Sequence, residues 1–74
     1  MPKLYSARII LSTLQRAGFA VISQKGSHIK LSKKTEDKIY TAIVPNHKEV
    51  AIGTFQSILK QAGITKKEFE AFVK

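Results

Sequence analysis

Apolar residues recur at helical spacing near the start of the chain, between Ser6 and Gly18. They form one stripe: Ala7, Ile10, Leu11, Leu14 and Ala17. The Ser6 hydroxyl can accept a hydrogen bond from a free amide of a first helical turn, and Gly18 can adopt the positive φ that ends a helix. The pattern therefore predicts an amphipathic helix that runs to about Ala17.

Three segments after this helix are rich in β-branched and aromatic residues, which favour strands. They are separated by short polar connections and cover Phe19–Gln24, His28–Ser32 and Lys38–Val44. Strict alternation in the second segment turns Ile29 and Leu31 toward a core and puts His28 and Lys30 on the opposite face. Short connections between sequential strands predict an antiparallel meander with one open face.

The last third of the chain predicts two more helices after an irregular loop. Thr54 is expected to cap the first, which Gly63 ends. Its buried stripe consists of Phe55, Ile58, Leu59 and Ala62. Thr65 and Glu68 have the spacing of a capping box for the second helix. This helix is expected to dock through Phe69, Phe72 and Val73. The order α-β-β-β-α-α predicts one α+β domain over residues 1–74, with helices covering one face of a three-stranded antiparallel sheet.

The charge of the chain favours a polyanionic partner. Thirteen lysine and arginine residues stand against five acidic residues, for a formal net charge of +8. No acidic residue precedes Glu36, so the first half of the chain is basic throughout. A one-sided basic surface is typical of proteins that bind nucleic acid, and it also fits an acidic protein partner.

Composition argues against several kinds of site. The chain has no cysteine, two histidines and five scattered acidic residues, too few converging carboxylates for two-metal phosphodiester cleavage. No apolar run approaches the roughly 20 residues that a membrane span needs, and the first residues lack the apolar core of a secretory signal. We therefore expect no metal, no cofactor and no membrane partner, and a cytoplasmic location.

RNA cleavage needs fewer protein groups. The ribose 2′-hydroxyl lies beside the scissile phosphate and can act as an internal nucleophile, so the protein need only move a proton and stabilise negative charge. A histidine can move that proton near neutral pH. His28 lies between Lys25 and Lys30, and Gly26 allows close backbone approach to a phosphate. A histidine at the start of a strand is more often a plain surface residue, so the residues alone leave both interpretations open.

Four segments together resemble one protein family. In chain order they are Leu14–Phe19, which ends in Ala-Gly-Phe, Gln24–His28 with Gly-Ser-His, Val44–Glu49 with Pro-x-His, and Gly53–Ile64 with Gly-Thr-x-x-Ser-Ile-Leu-x-Gln-Ala-Gly. Their order and spacing resemble the HicA toxin family of bacterial and archaeal toxin–antitoxin systems, the YcfA-like mRNA interferases. The chain departs from the family before the first helix, where Tyr5-Ser6-Ala7 stands in place of a frequent Ser-Gly.

The resemblance implies a fold similar to a double-stranded-RNA-binding domain and ribosome-independent cleavage of mRNA by the histidine of Gly-Ser-His, here His28. It also implies a HicB-type antitoxin that covers the site and links the toxin to operator DNA only indirectly. Single-stranded mRNA is the expected substrate, since the Thr54 helix lacks the lysine cluster with which binders of long duplexes span a groove. The residues expected to contact RNA or the transition state are Lys25, Gly26, Ser27, Lys30, Lys33, Lys34, His47 and Lys48.

Two other functions fit the same sequence. A non-catalytic RNA-binding module would hold RNA through its lysines without cutting it, with an affinity that falls steeply as salt rises. A protein-interaction domain for an acidic partner would retain no RNA at physiological salt. Whether bound RNA is cut separates these two functions from the nuclease.

Overall fold

The computed structural model describes residues 4–73 and contains six helices and strands. They are α1 (Ala7–Arg16), β1 (Ala20–Lys25), β2 (His28–Lys34), β3 (Ile39–Pro45), α2 (Ile52–Ala62) and α3 (Lys66–Phe72). The three strands form one antiparallel sheet in the order β1-β2-β3, so the predicted α+β fold is confirmed. Within the described range, no helix has both the length and the apolar character to cross a bilayer.

One apolar core lies between the helices and one face of the sheet. Both predicted helical stripes are buried, apart from Leu11, which is half-buried. The rings of Tyr5, Phe55 and Phe69 contact one another, with centroids 4.9 to 5.2 Å apart in tilted or edge-on geometry. Each such aromatic pair adds about 0.5–1.5 kcal/mol beyond the burial of its surface.

α1 begins and ends where its sequence predicts. The Ser6 hydroxyl oxygen accepts the amide of Ile9 at 3.2 Å, and Gly18 follows the last turn with a φ of 106°. The Lys33 side chain also caps the C-terminal end of α1, because its Nζ donates to the Ala17 carbonyl at 2.8 Å. A cation at this place also complements the negative end of the helix dipole.

α2 begins before the threonine that was expected to cap it. The helix starts at Ile52 with Ala51 as the N-cap, no side chain caps it, and Thr54 lies inside its first turn. The prediction that Thr54 is the cap is therefore wrong. Val50 is buried and its amide donates to the Tyr5 carbonyl at 2.8 Å, so tertiary packing sets the start of the helix and overrides the preference of threonine for the cap.

The two threonines are therefore expected to contribute unequally to stability. The Thr65 hydroxyl oxygen accepts the amide of Glu68 at 3.1 Å, and the Glu68 carboxylate accepts the amide of Thr65 at 2.8 Å. We expect Thr65→Ala to lower the free energy of unfolding by about 1 kcal/mol, and Thr54→Ala to lower it by less than about 0.5 kcal/mol. Urea denaturation measures both values. A loss for Thr54→Ala that equals or exceeds the loss for Thr65→Ala would contradict the assignment of the caps.

α3 docks through fewer residues than predicted. Phe69 is fully buried and Val73 packs half-buried against the core, as expected, but the Phe72 side chain is 40% exposed. The helix ends at Phe72, and Val73 is already extended with φ −72° and ψ 140°. Because the chain leaves the helix at this point, Phe72 lies at the margin of the core.

Candidate active site

The connection between β1 and β2 places His28 at the start of β2. Lys25 pairs with His28 across the hairpin, so that Gly26 and Ser27 alone form the turn. Gly26 has a φ of 59°, the left-handed conformation that such short turns favour. A Cβ atom placed on Gly26 would meet no atom within 4 Å. The turn before His28 therefore leaves open space for the backbone of a ligand.

The sheet face opposite the helices carries His28 together with two of the predicted lysines. Lys25 of β1 and Pro45 of β3 are the cross-strand partners of His28, and Lys30 follows on the same face of β2. All three basic side chains are exposed. They help to form a cleft of about 520 Å³, here called the sheet cleft, which is lined by Ser23, Lys25, His28, Lys30 and Ile43. The prediction that His28 and Lys30 share the open face is confirmed.

A second cleft, here called the histidine cleft, adjoins the first at His28 and Ile43. It measures about 460 Å³ and is lined by His28, Ile43, Pro45, His47, Glu49, Ala51, Thr54 and Gln61. Both histidines of the chain thus border one cleft together with a carboxylate. Glu49 was not among the site residues predicted from the sequence, although it ends the family-like segment Val44–Glu49, two residues after His47. Residues 4–73 contain no group of three or more potential metal-ligating side chains close enough to hold an ion.

Backbone hydrogen bonds hold the loop that carries His47. The amide of Asn46 donates to the Ser27 carbonyl at 2.6 Å, which joins the loop to the turn before His28. The His47 carbonyl accepts the amide of Ala7, the first residue of α1, at 2.9 Å. Main-chain contacts, rather than the two side chains themselves, therefore set the positions of His28 and His47.

α2 forms the other wall of the histidine cleft. The side-chain oxygen of Gln61 accepts the amide of Ile43 at 3.0 Å, which ties the helix to the outer edge of β3. Ala51 and Thr54 line the cleft at the start of the helix, where no side chain caps the amides and no acidic residue lies in the first turn. The positive end of the helix dipole is therefore at the cleft, where it favours a bound anion by about 0.3–1 kcal/mol.

The structure places the remaining predicted contact residues away from His28. Lys33 lies on the helix side of β2, where its side chain caps α1. Lys34 pairs with Ile39 at the opposite end of β2. Lys48 lines a neighbouring cleft that meets the histidine cleft at His47. Lys25 and Lys30 are the predicted lysines that line the sheet cleft with His28.

Residues 7–64 of the 74-residue chain match a family model that is described as the HicA toxin of bacterial toxin–antitoxin systems. The chain belongs to the HicA toxin family. The matched range contains the β1–β2 turn, both histidines and all of α2, and it ends before α3. No curated protein gives a significant sequence match.

Membership in the HicA family confirms the resemblance that the four sequence segments indicated. It makes the protein a toxin of a toxin–antitoxin system, in which an antitoxin is its partner. The residues that form the sheet cleft and the histidine cleft all lie inside the range that the HicA model matches.

Proposed function

We propose that this HicA toxin is a metal-independent endoribonuclease that cleaves mRNA, with His28 as its catalytic residue. The observation that carries the proposal is the histidine cleft, which His28, His47 and Glu49 all line. His28 also borders the sheet cleft with Lys25 and Lys30. His28 therefore lies beside side chains that can transfer protons and beside cations that can bind a phosphate.

The proposed reaction moves the scissile phosphate from the 5′-oxygen of one nucleotide to the 2′-oxygen of its neighbour. The 2′-hydroxyl loses its proton and attacks the adjacent phosphorus, the bond from phosphorus to the 5′-oxygen breaks, and the leaving oxygen takes up a proton. The products carry a 2′,3′-cyclic phosphate and a 5′-hydroxyl. His28 carries out one proton transfer, and His47, at the same cleft, is the candidate for the other.

Negative charge grows on the phosphate oxygens while the 2′-oxygen attacks. Lys25 and Lys30 flank His28 on the open sheet face, and the uncapped start of α2 adds the positive end of a helix dipole. Positive groups that are already in place stabilise such a transition state without reorganisation. These groups therefore support phosphoryl transfer at His28.

Single-stranded mRNA is the proposed substrate. The first turn of α2 carries no lysine or arginine, and the basic residue of this helix, Lys60, lies in its last turn. The open sheet face instead exposes Ile43, whose side chain is 44% exposed next to Lys30. An apolar side chain beside a cation suits an unpaired base and its phosphate better than a closed duplex.

The position of Glu49 favours a nuclease over a non-catalytic RNA-binding module. A carboxylate beside a phosphate weakens binding by like-charge repulsion. A carboxylate at a cleft with two histidines can instead orient one of them or exchange a proton. A module that only held RNA would gain nothing from Glu49 in this cleft.

We further propose that the antitoxin is of the HicB type, that it covers the histidine cleft, and that the toxin reaches operator DNA only through it. The net charge of +8 favours an acidic partner surface. An antitoxin seated on both clefts would exclude RNA from His28.

Cleavage is expected to persist in excess EDTA, because no step of the proposed reaction uses a metal ion. Purified protein is incubated with end-labelled single-stranded RNA with and without EDTA, and the product ends are analysed. We expect equal rates and ends that carry a 2′,3′-cyclic phosphate or a 3′-phosphate. Cleavage that stops in EDTA and returns with a divalent cation, or products with 3′-hydroxyl ends, would refute the mechanism. RNA that is retained but never cut would support the binding module.

A further inference from the structure

A third cleft continues the path of the first two beyond His47. It measures about 510 Å³ and is lined by Ser6, Arg8, Asn46, His47 and Lys48. His47 borders this cleft and the histidine cleft, just as His28 borders the histidine cleft and the sheet cleft. The three clefts therefore form one path from the lysines of the open sheet face, past both histidines, to the start of α1.

The third cleft has the composition of a phosphate site. Among residues 4–73, its lining includes two basic side chains, Arg8 and Lys48, and no carboxylate. Glu49, the acidic residue next in sequence, borders the histidine cleft instead. An arginine presents a planar fork of donors that matches phosphate geometry, and a lysine adds a mobile point charge. Both side chains are exposed to solvent, where a ligand can reach them.

Side chains, rather than the amides of α1, supply the positive charge here. The amides of Ala7 and Ile9 are already used, since they donate to the His47 carbonyl and to the Ser6 hydroxyl oxygen at 2.9 and 3.2 Å. The bond between Ala7 and His47 joins the residues that immediately precede Arg8 and Lys48. The backbones that carry the two cations are thus tied to each other and to the histidine cleft.

We propose that Ser6, Arg8 and Lys48 form a subsite for a backbone phosphate of RNA next to the scissile phosphate. The proposal rests on the proposed function, because it extends the path of the same RNA strand past His28 and His47. Among residues 4–73, the Ser6 hydroxyl oxygen accepts from Ile9 and its O–H donates to no protein group, so this proton can be donated to a phosphate oxygen. The subsite adds affinity for strands that cover the whole path and takes no part in the proton transfers.

The test compares two double variants in their binding to a single-stranded 2′-O-methyl hexanucleotide, which the proposed reaction cannot cut. Arg8→Gln with Lys48→Gln is expected to weaken binding at least about tenfold. It is also expected to lower the slope of log affinity against log salt by about 0.7, because the two side chains hold one phosphate and each neutralised phosphate contributes about 0.7 on a single strand. Lys66→Gln with Lys67→Gln is the matched control. It removes the same charge at α3, outside the three clefts, and its slope is expected to stay at the wild-type value.

The other possible outcomes would refute the proposed subsite, the proposed nuclease activity or both. Equal losses in both double variants would overturn the subsite, since net charge alone would explain them. Unchanged RNA binding by Arg8→Gln with Lys48→Gln, whether or not antitoxin binding is lost, would also overturn it. Wild-type protein that binds the hexanucleotide but never cuts RNA would refute the nuclease and leave the subsite standing. Wild-type protein that binds no RNA would overturn both proposals. If the double variant does not fold, Lys48→Gln alone is expected to lower the slope by up to about 0.7, while Lys67→Gln leaves it unchanged.

Discussion

Replacing His28 with alanine is expected to lower the rate of RNA cleavage by about 10²- to 10⁴-fold, the usual contribution of one proton-transfer group. Growth inhibition by the toxin should disappear with it. His28 is exposed on the open face of the sheet, outside the apolar core. Its removal should therefore leave the fold intact and, since Lys25 and Lys30 stay in place, should leave most of the affinity for RNA.

Single-turnover cleavage of labelled RNA measures the effect, with circular dichroism and thermal unfolding as checks of the fold. Ser32→Ala is a matched control, because Ser32 lies on the same strand and faces the same side as His28 but lines neither the sheet cleft nor the histidine cleft. It should cut RNA at the wild-type rate. Full activity of His28→Ala would remove His28 from the mechanism, and an equal loss in both variants would point to damage of the sheet.

Gly63→Ala is expected to have the largest effect on stability, a loss of about 3 kcal/mol. Gly63 ends α2 with a φ of 71°, a conformation that costs other residues about 1–2 kcal/mol. A Cβ atom at this position would also overlap the ring of Tyr40, whose Cδ1 would be 2.9 Å away. The ring is half-buried and packs against the core, so relieving the overlap adds about 1–3 kcal/mol.

Gly26→Ala separates the two contributions to this loss. Gly26 also has a positive φ, 59°, but a Cβ atom there would meet nothing within 4 Å. This variant should lose only the backbone cost, about 1 kcal/mol. Chemical denaturation compares the two variants, and for a domain of this size the melting temperature of Gly63→Ala should fall by more than about 10 °C. Equal losses of stability in the two variants would show that a Cβ atom at position 63 does not clash with the Tyr40 ring.

Local patterns predicted most of the fold. The cap at Ser6, the glycine after α1 and the box formed by Thr65 and Glu68 each depend on residues within one or two helical turns, and each is confirmed. Alternation around Ile29 and Leu31 likewise predicted which face of β2 is buried. Such features need no knowledge of distant contacts, since the chain near each residue already determines them.

Features that depend on tertiary contacts were not predicted. The start of α2 follows the anchoring of Val50 to Tyr5, which a local preference of Thr54 could not reveal. Lys33 was expected among the RNA contacts, and β2 was predicted to end at Ser32. The strand continues to Lys34, and its alternation carries Lys33 to the helix side.

In the candidate site, too, some features follow from neighbouring residues and others depend on residues that are far apart in the sequence. His28 and its neighbouring lysines could be chosen from a turn and an alternating strand. That His28, His47 and Glu49 line one cleft depends on a loop that folds back onto the β1–β2 turn through the bond from Asn46 to Ser27. Sequence spacing alone does not specify that contact.

The central claim is that the substrate 2′-hydroxyl attacks the scissile phosphate while His28 transfers a proton. Two RNAs that differ by one oxygen atom test this claim most directly. The first is an all-ribose strand on which the cut position has been mapped, and the second carries a single 2′-deoxynucleotide on the 5′ side of that cut. Wild-type protein should cut the first RNA and leave the second intact at that position, and His28→Ala should cut the first about 10²- to 10⁴-fold more slowly. Cleavage of both RNAs at the same position and rate would contradict attack by the 2′-hydroxyl and, with it, the proposed role of His28.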